Sequence, residues 1–140
     1  MKDVVFITSS QAKADYLATL LGHPVEHIKL DLDEIQSLDL REVVTHKLRQ
    51  AYNQIHRPVL VEDVSLELTT LGRLPGTFIR WFIEELSTEG ICRLLDEKDR
   101  HATVRCMYGY SDEIPLESIV LISTTCAVFS FDHPFSSPEC

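Results

Sequence analysis

The segment Pro58–Phe82, PVLVEDVSLELTTLGRLPGTFIRWF, decides the reading of this chain. Val59, Leu60 and Val61 form an uninterrupted apolar run of the kind that fills a strand buried on both faces. It delivers two adjacent carboxylates, Glu62 and Asp63. Leu66 and Leu68 then alternate with Glu67 and Thr69 as a strand with one wet face, and a Gly/Pro loop, Leu71 to Gly76, leads into an aromatic helix expected over Thr77–Leu86. Acids at a strand end are held rigidly against a ligand, and paired carboxylates suit Mg2+ and general-base chemistry. A solvated acid pair is the competing reading, and the neighbouring segments decide between the two.

Upstream, Val4 to Thr8 reads as a buried strand, and Ser9 and Ser10 offer N-cap hydroxyls to a helix Gln11–Leu21 with Ala14, Leu17, Leu20 and Leu21 as its apolar stripe. Gly22 terminates that helix and Pro24 prevents its continuation. Val25 to Leu32 is expected as a strand that ends in the acids Asp31, Asp33 and Glu34. Leu40, Val43, Val44, Leu48, Ala51 and Ile55 recur at helical spacing, Asp39 and Glu42 resemble a capping box, and the helix ends near His56 before Pro58.

Downstream, Phe78, Trp81 and Phe82 supply aromatic core packing, and Ser87 caps a short helix, Glu89–Leu95. Ala102 to Tyr110 alternates as a strand, Ser111 to Pro115 is a turn, and Ser118–Ser123 and Cys126–Phe131 read as two more strands. The last residues, His133 to Cys140, read as a frayed tail. Strands interleaved with helices of these lengths indicate an α/β fold with a mixed sheet flanked by helices, one domain over residues 1–140.

Composition narrows the function classes. With 44% hydrophobic residues the chain can bury a core, and no apolar run reaches membrane-spanning length. A formal net charge of -9 repels nucleic-acid backbones and anionic membranes, so neither is an expected partner. Cys92, Cys106, Cys126 and Cys140 lie far apart without C-x-x-C spacing, which argues for reduced thiols in the cytoplasm. The six histidines form no constellation, and Ser65 lacks a G-x-S-x-G elbow, which disfavours serine nucleophilic catalysis.

Four pieces carry the candidate chemistry. Thr8 to Lys13 is a strand-to-helix junction with hydroxyls on Thr8, Ser9 and Ser10, backbone N–H groups and a lysine, all suited to a phosphate; an ordinary capped helix is the alternative. Glu34 follows the second strand and Asp63 the third, so in an open sheet both can project over one crevice and, with waters and phosphate oxygens, hold Mg2+. Asp31 and Asp33 are more simply a solvated turn. Lys47, on the long helix, and Arg80, after the Gly/Pro loop, can each neutralise a polyphosphate.

Read together, these segments resemble the Ham1-like inosine triphosphate pyrophosphatases over roughly the first three quarters of the chain. VFITSSQAK (Val5–Lys13) is similar to the family's T-G-N-x-x-K element, DLDEIQS (Asp31–Ser37) to its D-L-x-E-x-Q turn, and VLVEDVSLELTTLGRLPGTFIRWF (Val59–Phe82) to its longest signature. The resemblance implies an ITPase-like, Ham1/Maf-like α/β fold with a central nucleotide-binding cleft. It implies Mg2+-dependent hydrolysis, with Mn2+ as the alternative ion, of noncanonical purine nucleoside triphosphates (inosine, deoxyinosine and xanthosine) to nucleoside monophosphate and pyrophosphate, in a cytoplasmic homodimer.

By the same resemblance Thr8, Ser10 and Lys13 contact the triphosphate, Glu34 and Asp63 hold the metal, Asp63 orients or deprotonates the attacking water with Glu62 in support, and Lys47 and Arg80 meet phosphates. Ser10 stands where the family usually has asparagine, and Arg73 where it has glycine. After about residue 111 the pattern departs: the family's F-G-W-D and S-H-R elements, which close on and read the base, have no counterpart beyond a faint echo at Phe129–Asp132. A shortened or altered base-recognition region is therefore expected. The alternative function is a non-catalytic or truncated member that binds nucleotide or a partner without turnover.

Overall fold

The computed structural model describes residues 4–95, 99–112 and 120–128. The apolar run at Val59 and the alternating stretch at Leu66, expected as separate strands, are one ten-residue strand, β3 (Val59–Leu68). No Gly or Pro interrupts Glu62 to Ser65, so extended pairing continues straight through the acid pair. Around it lie β1 (Val5–Ile7), α1 (Gln11–Leu21), β2 (His27–Ile28), α2 (Leu40–Ile55), β4 (Pro75–Gly76), α3 (Ile79–Leu94), β5 (Ala102–Ser111) and β6 (Val120–Val128). Hydrogen-bonded neighbours follow the order β2-β1-β3-β5-β6, with β4 on β3. The β1–β2 and β1–β3 ladders are parallel and β3–β4 is antiparallel, so the sheet is mixed, as expected for this α/β pattern.

The described residues fall into two compact units, those within 1–63 and 107–123 and those within 64–106 and 124–140. In the first, strand alternation sorts the core into two layers. Val5, Ile7, Val59 and Val61 pack with Leu40, Val44, Leu48 and Ala51 of α2, whereas Phe6 and Leu60 pack with Ala14 and Leu17 of α1. The two helices therefore cover opposite faces of the β1–β3 ladder. Burying each of these large side chains contributes about 1.5–3 kcal/mol.

Local chemistry explains the helix ends. The Ser10 hydroxyl accepts the Lys13 N–H at 3.3 Å, and Gly22 closes α1 in the left-handed region at φ 72°. Asp39 caps α2 by accepting the Arg41 and Glu42 N–H groups at 2.9 and 3.4 Å. The return arm of the expected capping box runs through an extra residue: the Asp39 N–H donates to Ser37 Oγ, and the Ser37 hydroxyl donates to Glu42 at 2.6 Å.

Two expectations in this unit change. The strand foreseen over Val25–Leu32 contracts to His27–Ile28, because the short β1 offers register partners only at Phe6 and Ile7. Beyond Ile28 the chain leaves the sheet, and Leu30 and Leu32 pack against the α2 cluster instead. Leu20 and Leu21, expected in the α1 stripe, are exposed, Leu20 by 62%, since Ala14, Leu17, Val25 and Tyr108 already fill the face offered by Phe6 and Leu60.

The second unit is built on Leu68, Ile91, Leu95 and Ala102, with Leu66, Leu71, Ile79 and Phe82 against them. The Gly/Pro loop doubles back, pairing Pro75 with Glu67 and Gly76 with Leu66. As expected, two helical stretches meet at Ser87 within α3: its φ of 58° and ψ of 172° are non-helical, and its hydroxyl accepts the Gly90 N–H at 3.5 Å to open the second stretch. Trp81, expected in the core, is 53% exposed, because Ile79 and Phe82 form the inward stripe and Trp81 projects about 100° away from Phe82 around the helix. In place of the two strands expected over Ser118–Phe131, β6 is continuous through residues 123–125. The expected ends at Ser118 and Phe131, most of the Ser111–Pro115 turn and the tail from His133 lie outside the described residues.

Candidate functional site

The alternation that separates α1 from α2 also separates the two acids of β3. Glu62 shares its face with Leu60 and meets α1, where Lys13 Nζ lies 2.6 Å from its Oε2. Asp63 shares its face with Val61 and meets α2, where Lys47 Nζ lies 2.6 Å from its Oδ2. The first pair is asymmetric: the Glu62 side chain is 6% exposed and that of Lys13 47%, so a buried carboxylate is neutralised by an ammonium reaching in from solvent. The second is evenly shielded, at 18% for Lys47 and 23% for Asp63, and Lys47 also donates to the Glu62 carbonyl at 3.4 Å. Each acid thus carries its own counter-cation from a different helix.

The strand-to-helix junction is organised by its own hydroxyls. Thr8 Oγ1 accepts the Ser10 N–H at 3.1 Å, Ser10 Oγ accepts the Lys13 N–H, and the Thr8 N–H donates to the Ile28 carbonyl at 3.1 Å. Ser9 is exposed between them. Thr8 and Ser10 therefore shape the turn, and the amides opening α1 give it the positive end of a helix beside the Lys13–Glu62 pair.

Glu34 lies in the segment Lys29–Asp39, which carries no helix or strand, and is exposed. What ties that segment down is a residue the sequence did not single out. Gln50 of α2 accepts the Asp33 N–H at 2.9 Å through Oε1 and donates to the Asp33 carbonyl at 2.8 Å through Nε2. The only sequence signal was its spacing, three residues after Lys47 and so on a shared helix face. The acidic turn is thereby fastened to the helix that holds Asp63.

Arg80 belongs to the second unit, where it meets Glu84 one turn along at 3.7 Å and lies over the Trp81 ring at 4.8 Å. Lys13, Lys47, Glu62, Asp63 and the Thr8–Ser10 junction are gathered in the first unit.

Among the described residues no three His, Cys, Asp or Glu side chains converge into a metal cage. Mg2+ needs no such cage, since it takes one or two carboxylates and completes its shell with waters and substrate phosphates. Asp63 and Glu34 offer hard oxygen donors, and the ammonium of Lys47 stands on the Asp63 oxygen where a cation would be attracted.

A family model described as the Ham1 family matches residues 4–127. The chain is similar to inosine triphosphate pyrophosphatase 2 of Trypanosoma cruzi (strain CL Brener), 41% identical over 110 residues, which are 76% of this chain and 56% of that protein. It is also 41% identical over 113 residues to the inosine triphosphate pyrophosphatase of Pyricularia oryzae, covering 79% of this chain and 59% of that one. With that of Ajellomyces capsulatus the identity is 33% over 128 residues, 89% of this chain and 69% of the relative. The chain thus spans less than two thirds of the length of the first two. Among solved structures, a HAM1 protein from Coxiella burnetii matches with a TM-score of 0.75 at 20% identity, over 91% of this chain and 72% of that one. The Staphylococcus aureus Ham1 protein matches with a TM-score of 0.71 at 21% identity, over 89% and 69%. These two likenesses establish the fold.

Proposed function

The chain belongs to the Ham1 family, and on that premise we propose that it hydrolyses noncanonical purine nucleoside triphosphates, those of inosine, deoxyinosine and xanthosine, to nucleoside monophosphate and pyrophosphate. The observation that carries the reading is the pair of lysine–carboxylate contacts, Lys13 with Glu62 and Lys47 with Asp63, on one strand. A triphosphate brings anionic oxygens that compete for both ammonium groups, so binding releases carboxylates while it neutralises its own charge.

In this reading the amides and hydroxyls from Thr8 through Ser10 to Lys13 bind phosphate oxygens, with Lys47 and Arg80 as further cations. Asp63 orients the attacking water and takes its proton, and Glu62 keeps Lys13 in place. Water oxygen bonds to the α-phosphorus as the bond to the bridging oxygen breaks, and pyrophosphate leaves with that electron pair. Glu34 and Asp63 are the residues that would hold Mg2+, or Mn2+ in its stead, and the ion would supply charge neutralisation on the phosphates. Residues 1–140 act here as one ITPase-like domain in a cytoplasmic homodimer, a state favoured by the exposed Trp81, Ile83 and Leu86 of α3. No helix among the described residues is long and apolar enough to cross a membrane.

The test is pyrophosphate release from inosine, xanthosine and the ordinary triphosphates, with and without Mg2+, comparing the chain with Asp63→Asn. Metal-dependent release that Asp63→Asn lowers by about 10²-fold or more is expected. Release no greater than that of the variant on every substrate defeats the proposal, and calorimetric binding of triphosphate without turnover would establish a nucleotide-binding member instead.

A further inference from the structure

The segment between β2 and α2 has no ladder of its own, so its shape comes from side chains. Leu30 and Leu32 pack against the α2 cluster, the Gln50 carboxamide holds both backbone groups of Asp33, and Ser37 joins the α2 cap through Asp39 and Glu42. Glu34 follows directly on the residue that Gln50 clasps. A carboxamide that accepts through its oxygen and donates through one N–H of its NH2 is the side-chain mimic of a strand partner: it fixes the position and the rotation of the peptide it bonds. Because Gln50 lies three residues beyond Lys47, at about 1.5 Å rise per residue the clasp sits roughly 4.5 Å along α2 from the lysine that holds Asp63.

We propose that Gln50 is a positioning residue, whose two hydrogen bonds to the Asp33 backbone set where Glu34 enters the site beside the Lys47–Asp63 pair. The inference rests on the reading of Glu34 and Asp63 as the metal carboxylates. An exposed glutamate on an irregular segment loses conformational freedom when it takes up an ion, and a clasp on the preceding peptide removes part of that loss beforehand. Gln50 touches neither metal nor substrate, so its effect belongs in the metal requirement. It does not belong in the bond-breaking step.

The experiment compares the unaltered chain with Gln50→Leu, which removes both bonds, and Gln50→Glu, which keeps an acceptor for the Asp33 N–H but loses the donor to its carbonyl. Three quantities are read: amide exchange at Asp33, the Mn2+-induced broadening of Glu34 resonances, and the Mg2+ concentration giving half-maximal pyrophosphate release. Gln50→Leu is expected to speed Asp33 exchange and to raise the metal concentration needed for both later readouts by about 10-fold, with kcat at saturating metal retained and Gln50→Glu intermediate. Unchanged Asp33 exchange overturns the proposal, as does lost protection with unaltered metal dependence. If the unaltered chain releases no pyrophosphate but Glu34 broadening still depends on Gln50, the hydrolytic reading fails and the positioning role stands. Should Gln50→Leu not fold, Gln50→Glu alone decides by the same readouts.

Discussion

Glu62 and Asp63 are neighbours in sequence yet stand on opposite faces of β3, one closed onto Lys13 of α1 and the other onto Lys47 of α2, each at 2.6 Å. The separation follows from the two-residue period of a strand, which sends successive side chains to opposite sides. Adjacent acids are thereby assigned different partners: Glu62 is buried beneath α1, and Asp63 keeps partial access to solvent.

The Lys47–Asp63 contact should behave as a coupled pair in stability measurements. Lys47→Met leaves a partly shielded carboxylate without its ammonium, so a loss of about 1–3 kcal/mol is expected. Adding Asp63→Asn should restore part of it. Urea unfolding of the four members of the cycle measures the coupling, and strictly additive losses would show that the 2.6 Å contact contributes nothing.

The same ammonium should also hold metal away from the nucleotide-free protein. With Lys47 on Asp63, a divalent ion must displace or face a positive charge, so Lys47→Met is expected to tighten Mn2+ binding by about 10-fold while weakening triphosphate binding. Titration followed by the electron paramagnetic resonance of free Mn2+ reads the first effect and calorimetry the second. Equal or weaker metal affinity in the variant would contradict the competition between ammonium and ion.

Ser87 occupies a backbone region, φ 58° and ψ 172°, that side chains other than glycine's disfavour. Ser87→Gly should therefore raise stability by about 0.5–1 kcal/mol, less a few tenths for the lost contact with the Gly90 N–H. The opposite result is expected for Gly90→Ala, whose new Cβ would lie 2.9 Å from Leu86 Cβ. Thermal unfolding that ranks Gly90→Ala above Ser87→Gly would show that the kink is not shaped as described.

Two exposed carboxyls should respond to acid. Hydrogen bonds from the His101 backbone and then its ring hold Asp99 below its ordinary value of 3.8, and the Arg57 fork, with bonds of 2.8 and 3.3 Å, holds Glu26 below 4.5. Lowered values mean that the folded chain binds fewer protons there than the unfolded chain. Their stabilisation is therefore complete above those ordinary values and is lost as the pH falls through the lowered ones. Both groups are exposed, so the contribution is small and weakens with salt. Carboxyl carbon titrations by NMR should place both midpoints below the ordinary values, and Arg57→Gln should return Glu26 to its own.

Much of the fold could be read from local pattern. The helices of α1 and α2, their caps at Ser10 and Asp39, the Gly22 terminator and the break at Ser87 all depend on residues within a turn of one another, where period and capping chemistry act directly. Residue type and spacing single out the carboxylates, lysines and hydroxyls as candidates but not their setting: Glu62 and Asp63 lie within β3, which runs on to Leu68, and not at a strand end.

What tertiary structure alone decided is which surfaces those residues meet. The contraction of β2 reflects the shortness of β1, the union of two expected strands into β3 reflects pairing across the sheet, and the exposure of Leu20 and Trp81 reflects stripes already filled by other side chains. The pairing of Lys13 with Glu62 and Lys47 with Asp63, and the clasp of Gln50 on Asp33, join residues far apart in the chain. Such contacts depend on which helix covers which face of a strand. That choice is made by burying apolar area across the whole core, and no local stretch of sequence carries it.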